Sequence, residues 1–162
     1  MTIKENTEML LFRFSNYGKN SFINEHKAVI DEHGYVWMLK IGKRSSLTKL
    51  HAIKDAGGWL VLRSPKADGS VSYIARFTDV SEEEPSDFCY PRYYNDIFDG
   101  DEDEYYNPNA VYQWFKIESL AQMEETDVEH LVISKTGKIV NEIIGTTKTA
   151  VMFIKNNKPL VL

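Results

Sequence analysis

The sequence predicts an α+β fold: a small mixed, mainly antiparallel β-barrel with short helices. Three observations predict it. Short apolar runs rich in β-formers recur along the chain and alternate with a few short helical stretches, in the order β-α-β-α-β-β-loop-β-α-β. Asp68-Gly69, between two such runs, is a strong hairpin signal, so part of the sheet must be antiparallel. Tyr35–Ile41 shows little polar alternation, the pattern of a strand buried on both faces.

The elements follow in order. Met9–Ser15 is a short apolar run and reads as a strand, and Asn16–Asn20 as a turn. Ser21 caps a helix over Phe22–His33, with Phe22, Ile23, Val29 and Ile30 on its buried stripe and Gly34 as its stop. Gly42 ends the Tyr35–Ile41 strand. Ser45 or Ser46 caps a second helix, with Leu47, Leu50 and Ile53 at helical spacing and Gly57-Gly58 at its end. Trp59–Arg63 is a strand, and Val71–Val80 returns as its hairpin partner.

Ser81–Ala110 reads as one long acidic loop. It holds Pro85, Pro91 and Pro108, the acidic runs Glu82–Glu84 and Asp99–Glu104, and a Tyr-rich segment. With little to bury, it is expected to be the most mobile part of the chain. Val111–Ile117 is a strand, Leu120–Glu125 a short helix and Leu131–Ser134 an extended segment. Thr136–Ile144 reads as a helix with Ile139, Val140, Ile143 and Ile144 inward. Ala150–Lys155 is a strand, and Pro159–Leu162 an edge strand.

The 162 residues suit a single domain, 43% hydrophobic and 12% aromatic, able to bury a core. A lone cysteine, Cys89, excludes an internal disulfide and any CxxC pair, and points to a reducing, cytoplasmic compartment. The first residues lack a signal peptide's apolar core, and no apolar run approaches the ~18 residues that span a bilayer, so no membrane is expected. The net charge of −5 does not favour long-range attraction to nucleic acid. Yet the two acidic runs hold eight of the 24 acids, which leaves room for a basic face elsewhere.

Gly34–Ser46 (GYVWMLKIGKRSS), a strand ending in a small basic loop before a helix, resembles the first strand of a PUA-like domain, in particular the EVE branch. Gly57–Leu62 is similar to the strand that continues that barrel, Ser72–Val80 to the following one, and Tyr112–Ile117 to a later strand with an aromatic beside a Lys. Thr136–Lys155 resembles the way these domains close. The resemblance covers Tyr35–Lys155 and leaves residues 1–34 as an N-terminal β-α extension. The Glu and Arg of the related ASCH branch's motif are absent after Gly42-Lys43-Arg44, where Ser45-Ser46 follow. The resemblance implies a nucleic-acid-binding module that holds a modified or flipped base in an aromatic pocket.

Three constellations could carry that function. Trp37, Trp59, Trp114 and Tyr73 are strand-borne aromatics able to stack on bases, or else fill the barrel core. Lys40, Lys43, Arg44, Ser45 and Ser46 gather cations and hydroxyls at a helix N-terminus, where backbone N–H groups favour phosphate, and Lys49 and Lys54 extend the charge. The alternative is an ordinary solvated helix start. Arg92 and Tyr93, with Tyr94, form a binding-surface composition in the long loop, or pack it onto the barrel.

No metal or other cofactor is expected. An EF-hand register fails at the sixth position of Asp99–Glu104, and the four histidines form no HxxxH or HExxH pair. GxSxG, P-loop and GxGxxG patterns are absent, and Cys89 lies in an acidic neighbourhood unsuited to a nucleophile. The leading expectation is a non-catalytic module that binds DNA or RNA. A second reading is a regulatory module whose acidic, Tyr-rich loop binds a basic protein partner. A third is a small nuclease of the same superfamily, for which no acid/base pair is identifiable.

Overall fold

A seven-stranded sheet organises the chain. The computed structural model describes residues 1–87, 89–99 and 112–162. The strands are β2 (Glu8–Arg13), β3 (Val36–Ile41), β4 (Trp59–Arg63), β5 (Ser72–Ser81), β6 (Tyr112–Gln122), β7 (Leu131–Ile133) and β8 (Val151–Asn156). Their order across the sheet is β3-β6-β5-β4-β2-β8-β7. β2 and β4 run parallel, with Leu10 opposite Leu60 through to Arg13 opposite Arg63, and every other pairing is antiparallel. β1 (Thr2–Ile3) and β9 (Leu160–Val161) form a separate antiparallel pair. The expected α+β, mainly antiparallel architecture is therefore present. Residues 1–34 supply β2, which sits between β4 and β8 inside the main sheet.

The expected closed barrel is not. No pairing joins edge strand β3 to β2 or β7 among the described residues. Both edges are occupied by the chain itself: the Trp37 N–H on β3 donates to the Cys89 carbonyl, and the Ile133 N–H on β7 donates to the Lys138 carbonyl. The sheet nonetheless curls. Phe12 of β2 and Lys40 of β3 line one cleft, although β6, β5 and β4 separate their strands in the sheet.

Both faces of the sheet are covered. On one, Leu10, Leu60, Leu62, Met38, Phe77 and Phe115 pack with Phe22 of helix α1 (Phe22–His33) and with Leu50 and Ile53 of α2 (Leu47–Asp55). On the other, Leu11, Val61, Ile74 and Ile154 pack with Val128 of α4 (Glu125–Val128) and Val140 of α5 (Val140–Ile143). Full burial of each such aliphatic side chain contributes ~1.5–3 kcal/mol. α1 starts on the Ser21 hydroxyl, which accepts from the Asn24 N–H, and stops at Gly34 in the left-handed region at φ 85°.

Three local expectations need correction. The 81–110 segment is not a structureless loop: α3 (Tyr93–Asp99) forms within it, with Tyr93, Tyr94 and Ile97 buried. These side chains cover Trp37, Leu39 and Trp114 on the outer face of β3 and β6. The Asp101–Glu104 part of the acidic run lies outside the described residues. The Leu120–Glu125 stretch does not begin a helix, because β6 runs on to Gln122 in register with β5. The Thr136–Ile144 helix shrinks to α5 (Val140–Ile143), since Gly137 turns at φ 71° and Ile139 bridges back to Val132.

Candidate nucleic-acid interface

The loop between β3 and α2 is held from three sides. Gly42 breaks the strand at φ 112°, a backbone conformation that disfavours a side chain. Gln113 of β6, fully buried, brackets Ser45: its Oε1 accepts from the Ser45 N–H at 2.9 Å, and its Nε2 donates to the Ser45 carbonyl at 3.0 Å. Arg44 donates from Nε to the Tyr112 carbonyl at 2.8 Å and from Nη2 to the Glu82 carbonyl at 3.1 Å. Its Nε also lies 3.5 Å from the Glu82 carboxylate. The Ser46 hydroxyl then caps α2, accepting from the Lys49 N–H at 3.4 Å.

Beneath this loop lies Lys40, buried at 3% exposure, whose Nζ donates to the Lys43 carbonyl. Burial lowers its pKa because the ammonium has lost water. Lys40 thus braces the loop from inside, while Lys43 and Lys49 stand exposed on its rim.

The loop and the N-terminus of α2 form one wall of a cleft of about 600 Å³. Phe12 of β2, with Thr149, Ala150, and Val151 and Phe153 of β8, forms the other. This is the seam at which the curled sheet stays open. Lys40, Lys43, Arg44 and Lys49 line it, and among the described residues no carboxylate does. The half-buried rings of Phe12 and Phe153 face it, with Lys49 Nζ 4.7 Å from the centre of the Phe153 ring.

The structure therefore brings together Lys40, Lys43, Arg44, Ser45 and Ser46. It does not bring Trp37, Trp59, Arg92 or Tyr93 to them. Trp37 is covered by α3 and donates from Nε1 to Asp87 Oδ1 at 2.9 Å. Trp59 is packed among Met9, Leu11 and Val61, with the Arg76 guanidinium 5.9 Å from its ring centre. Tyr93 is core, and Arg92 is exposed at the start of α3. An aromatic pocket built on Trp37 or Trp59 is thus closed by the chain's own packing. Phe12 and Phe153 carry no motif, and only the β2–β8 pairing places them beside the basic loop.

Among the described residues no group of three or more His, Cys, Asp or Glu side chains is placed to hold a metal ion. None of the described helices is long and apolar enough to cross a membrane. No protein-family model matches the chain, and neither a curated protein nor a solved structure does.

Proposed function

We propose that the chain is a nucleic-acid-binding module that grips the backbone of a single strand in the seam cleft. The observation that carries this reading is charge placement. In a chain of net charge −5, four cations converge on one cleft, and among the described residues no carboxylate lines it, Glu82 meeting Arg44 from outside the lining. Phosphates would lie on Lys43, Lys49 and the free N–H groups at the start of α2, where backbone dipoles favour negative charge. Phe12 and Phe153 offer the flat faces on which bases stack without sequence preference. The strand-by-strand resemblance to PUA-like, EVE-type domains supports the same activity. A modified or flipped base would be read at Phe12 and Phe153, since Trp37 and Trp59 are enclosed.

The test is fluorescence anisotropy with labelled single-stranded DNA and RNA oligonucleotides at low ionic strength, where phosphate contacts are strongest. Binding that is lost in Lys43→Glu, with an unchanged thermal unfolding profile, supports the reading. Absence of binding to either oligonucleotide refutes it.

A further inference from the structure

A second cleft lies beyond Ala150, the residue it shares with the seam cleft. Its volume is about 490 Å³, and Arg13, Arg63, Lys66 and Lys148 line it, again with no carboxylate among the described residues. At its centre is a consequence of the parallel pairing of β2 and β4. Arg13 and Arg63 are direct register partners, so their side chains leave the sheet on the same face as neighbours. Like charges placed opposite each other on adjacent strands destabilise a sheet unless a negative group comes between them.

Nothing in the described protein does so. Among the described residues no carboxylate oxygen lies within 4.0 Å of either guanidinium. The contacts that exist position the two groups without neutralising them. Arg13 Nη1 donates to the Thr147 carbonyl at 2.6 Å. Arg63 Nη1 donates to Ser72 Oγ at 3.0 Å and to Asn141 Oδ1 at 3.5 Å. Each anchors through one terminal nitrogen, which leaves Nη2 and Nε of both side chains unused by any described residue. Those are the edges with which a guanidinium makes a bidentate bond to a phosphate or carboxylate. Arg63 is half-buried, and its pKa is lowered by burial, opposed by Glu125 and reinforced by the neighbouring Arg13 charge. An oxyanion between the two groups would relieve that repulsion. Lys66 and Lys148, both exposed at the rim, would add to its attraction.

We propose that the Arg13–Arg63 cleft is a binding site for a phosphate oxyanion, held between two arginine forks that the parallel β2–β4 register sets side by side. The site shares Ala150 and strand β2 with the seam cleft, but none of its cationic side chains. The phosphate could be that of a small phosphorylated compound or a nucleic-acid backbone group extending across Ala150, and titration separates these sources.

The experiment is calorimetric titration of the full chain with pyrophosphate at low ionic strength, followed by competition with a single-stranded oligonucleotide. Wild type is expected to bind pyrophosphate. Arg63→Gln should weaken it about tenfold or more, as loss of a charge-assisted pair does, and Lys27→Gln, at an exposed lysine that lines neither cleft, should leave it within about twofold. If Arg63→Gln no longer unfolds cooperatively, the surface double variant Lys66→Gln/Lys148→Gln replaces it, with severalfold weaker binding expected. Displacement of pyrophosphate by the oligonucleotide identifies a backbone phosphate as the ligand, and pyrophosphate binding without displacement identifies a small phosphorylated compound. The proposal is overturned if wild type does not bind pyrophosphate. It is equally overturned if binding survives the Arg63 or the Lys66/Lys148 change, or falls as much in Lys27→Gln.

Discussion

The Tyr94 hydroxyl donates to His26 Nε2 across 2.6 Å and accepts from the Leu39 N–H at 3.0 Å, tying α3 to both α1 and β3. The direction of the chain follows from its far end. His26 Nδ1 lies 2.7 Å from the Phe22 carbonyl, which can only accept, so Nδ1 carries the proton and Nε2 is free to receive Tyr94. Every member of this buried chain is satisfied, and that is the condition under which a polar network stabilises a core.

This network predicts a pH dependence. Burial lowers the His26 pKa from 6.5 to about 4. The folded state therefore holds the neutral ring, while the unfolded chain takes up a proton below about 6.5. The contribution to stability is complete above pH 6.5 and declines as pH falls, until it is gone below about 4, where the folded state is protonated too. The loss across that window is on the order of 3 kcal/mol. Urea unfolding between pH 7 and pH 4 should show it, and His26→Phe should flatten the profile over the same range.

Tyr94→Phe removes the donor to His26 and the acceptor of the Leu39 N–H, leaving two buried groups unpaired. The cost should be about 1–3 kcal/mol in denaturant unfolding at pH 7. A variant as stable as the parent would show that α3 is held by ring packing alone.

Asp87 should act as the clasp of the segment before α3. Its carboxylate accepts from the Tyr35 hydroxyl and from Trp37 Nε1, each at 2.9 Å. Its pKa falls below the ordinary 3.8: desolvation pushes it up, but hydrogen bonds from Tyr35 and Trp37 and the charge of Lys116 outweigh that. A lowered carboxyl pKa means the clasp is intact above pH 3.8 and opens as pH falls through the lower, folded-state value. Asp87→Ala should open it at neutral pH, seen as faster amide exchange at Trp37 and through residues 89–99 with the β4 amides unchanged.

Gly58 is predicted to be irreplaceable. It sits at φ 73°, and a Cβ there would penetrate the Phe77 carbonyl oxygen, whose residue also donates its N–H to the Gly58 carbonyl at 2.8 Å. Gly58→Ala should cost more than about 2 kcal/mol, since both backbone strain and a backbone clash oppose it. Gly137 has a similar φ of 71° but open space around it, so Gly137→Ala should cost only about 1 kcal/mol. Parallel urea titrations of the two variants separate clash from strain.

The parts of this fold legible in the sequence are those with local causes. Ser21 and Gly34 bound α1 through capping chemistry, and Trp59–Arg63 announces β4 by its apolar run between glycine and proline. The failures have non-local causes. α3 lies between proline-rich and acidic stretches, and its signal was the four-residue spacing of Tyr93 with Ile97 and of Tyr94 with Phe98. The 136–144 apolar spacing suited a helix, but pairing of Ile139 back onto β7 took its first half. Lys40, Lys43, Arg44, Ser45 and Ser46 are legible as a group because they fall within one short stretch of chain. Phe12 with Phe153, and Arg13 with Arg63, meet only through strand pairing, and no spacing in the sequence encodes that.

The measurement that bears most directly on the central claim is the salt dependence of single-stranded oligonucleotide binding. If Lys43 and Lys49 hold phosphates in the seam cleft, affinity falls with rising salt, and Lys43→Gln and Lys49→Gln each lower the slope of log K against log salt by about one. Phe153→Ala should instead cost ~1–3 kcal/mol with the slope nearly unchanged, as loss of a stacking face does. Slopes identical to the parent's in both lysine variants, or no binding at the lowest salt, would contradict the account.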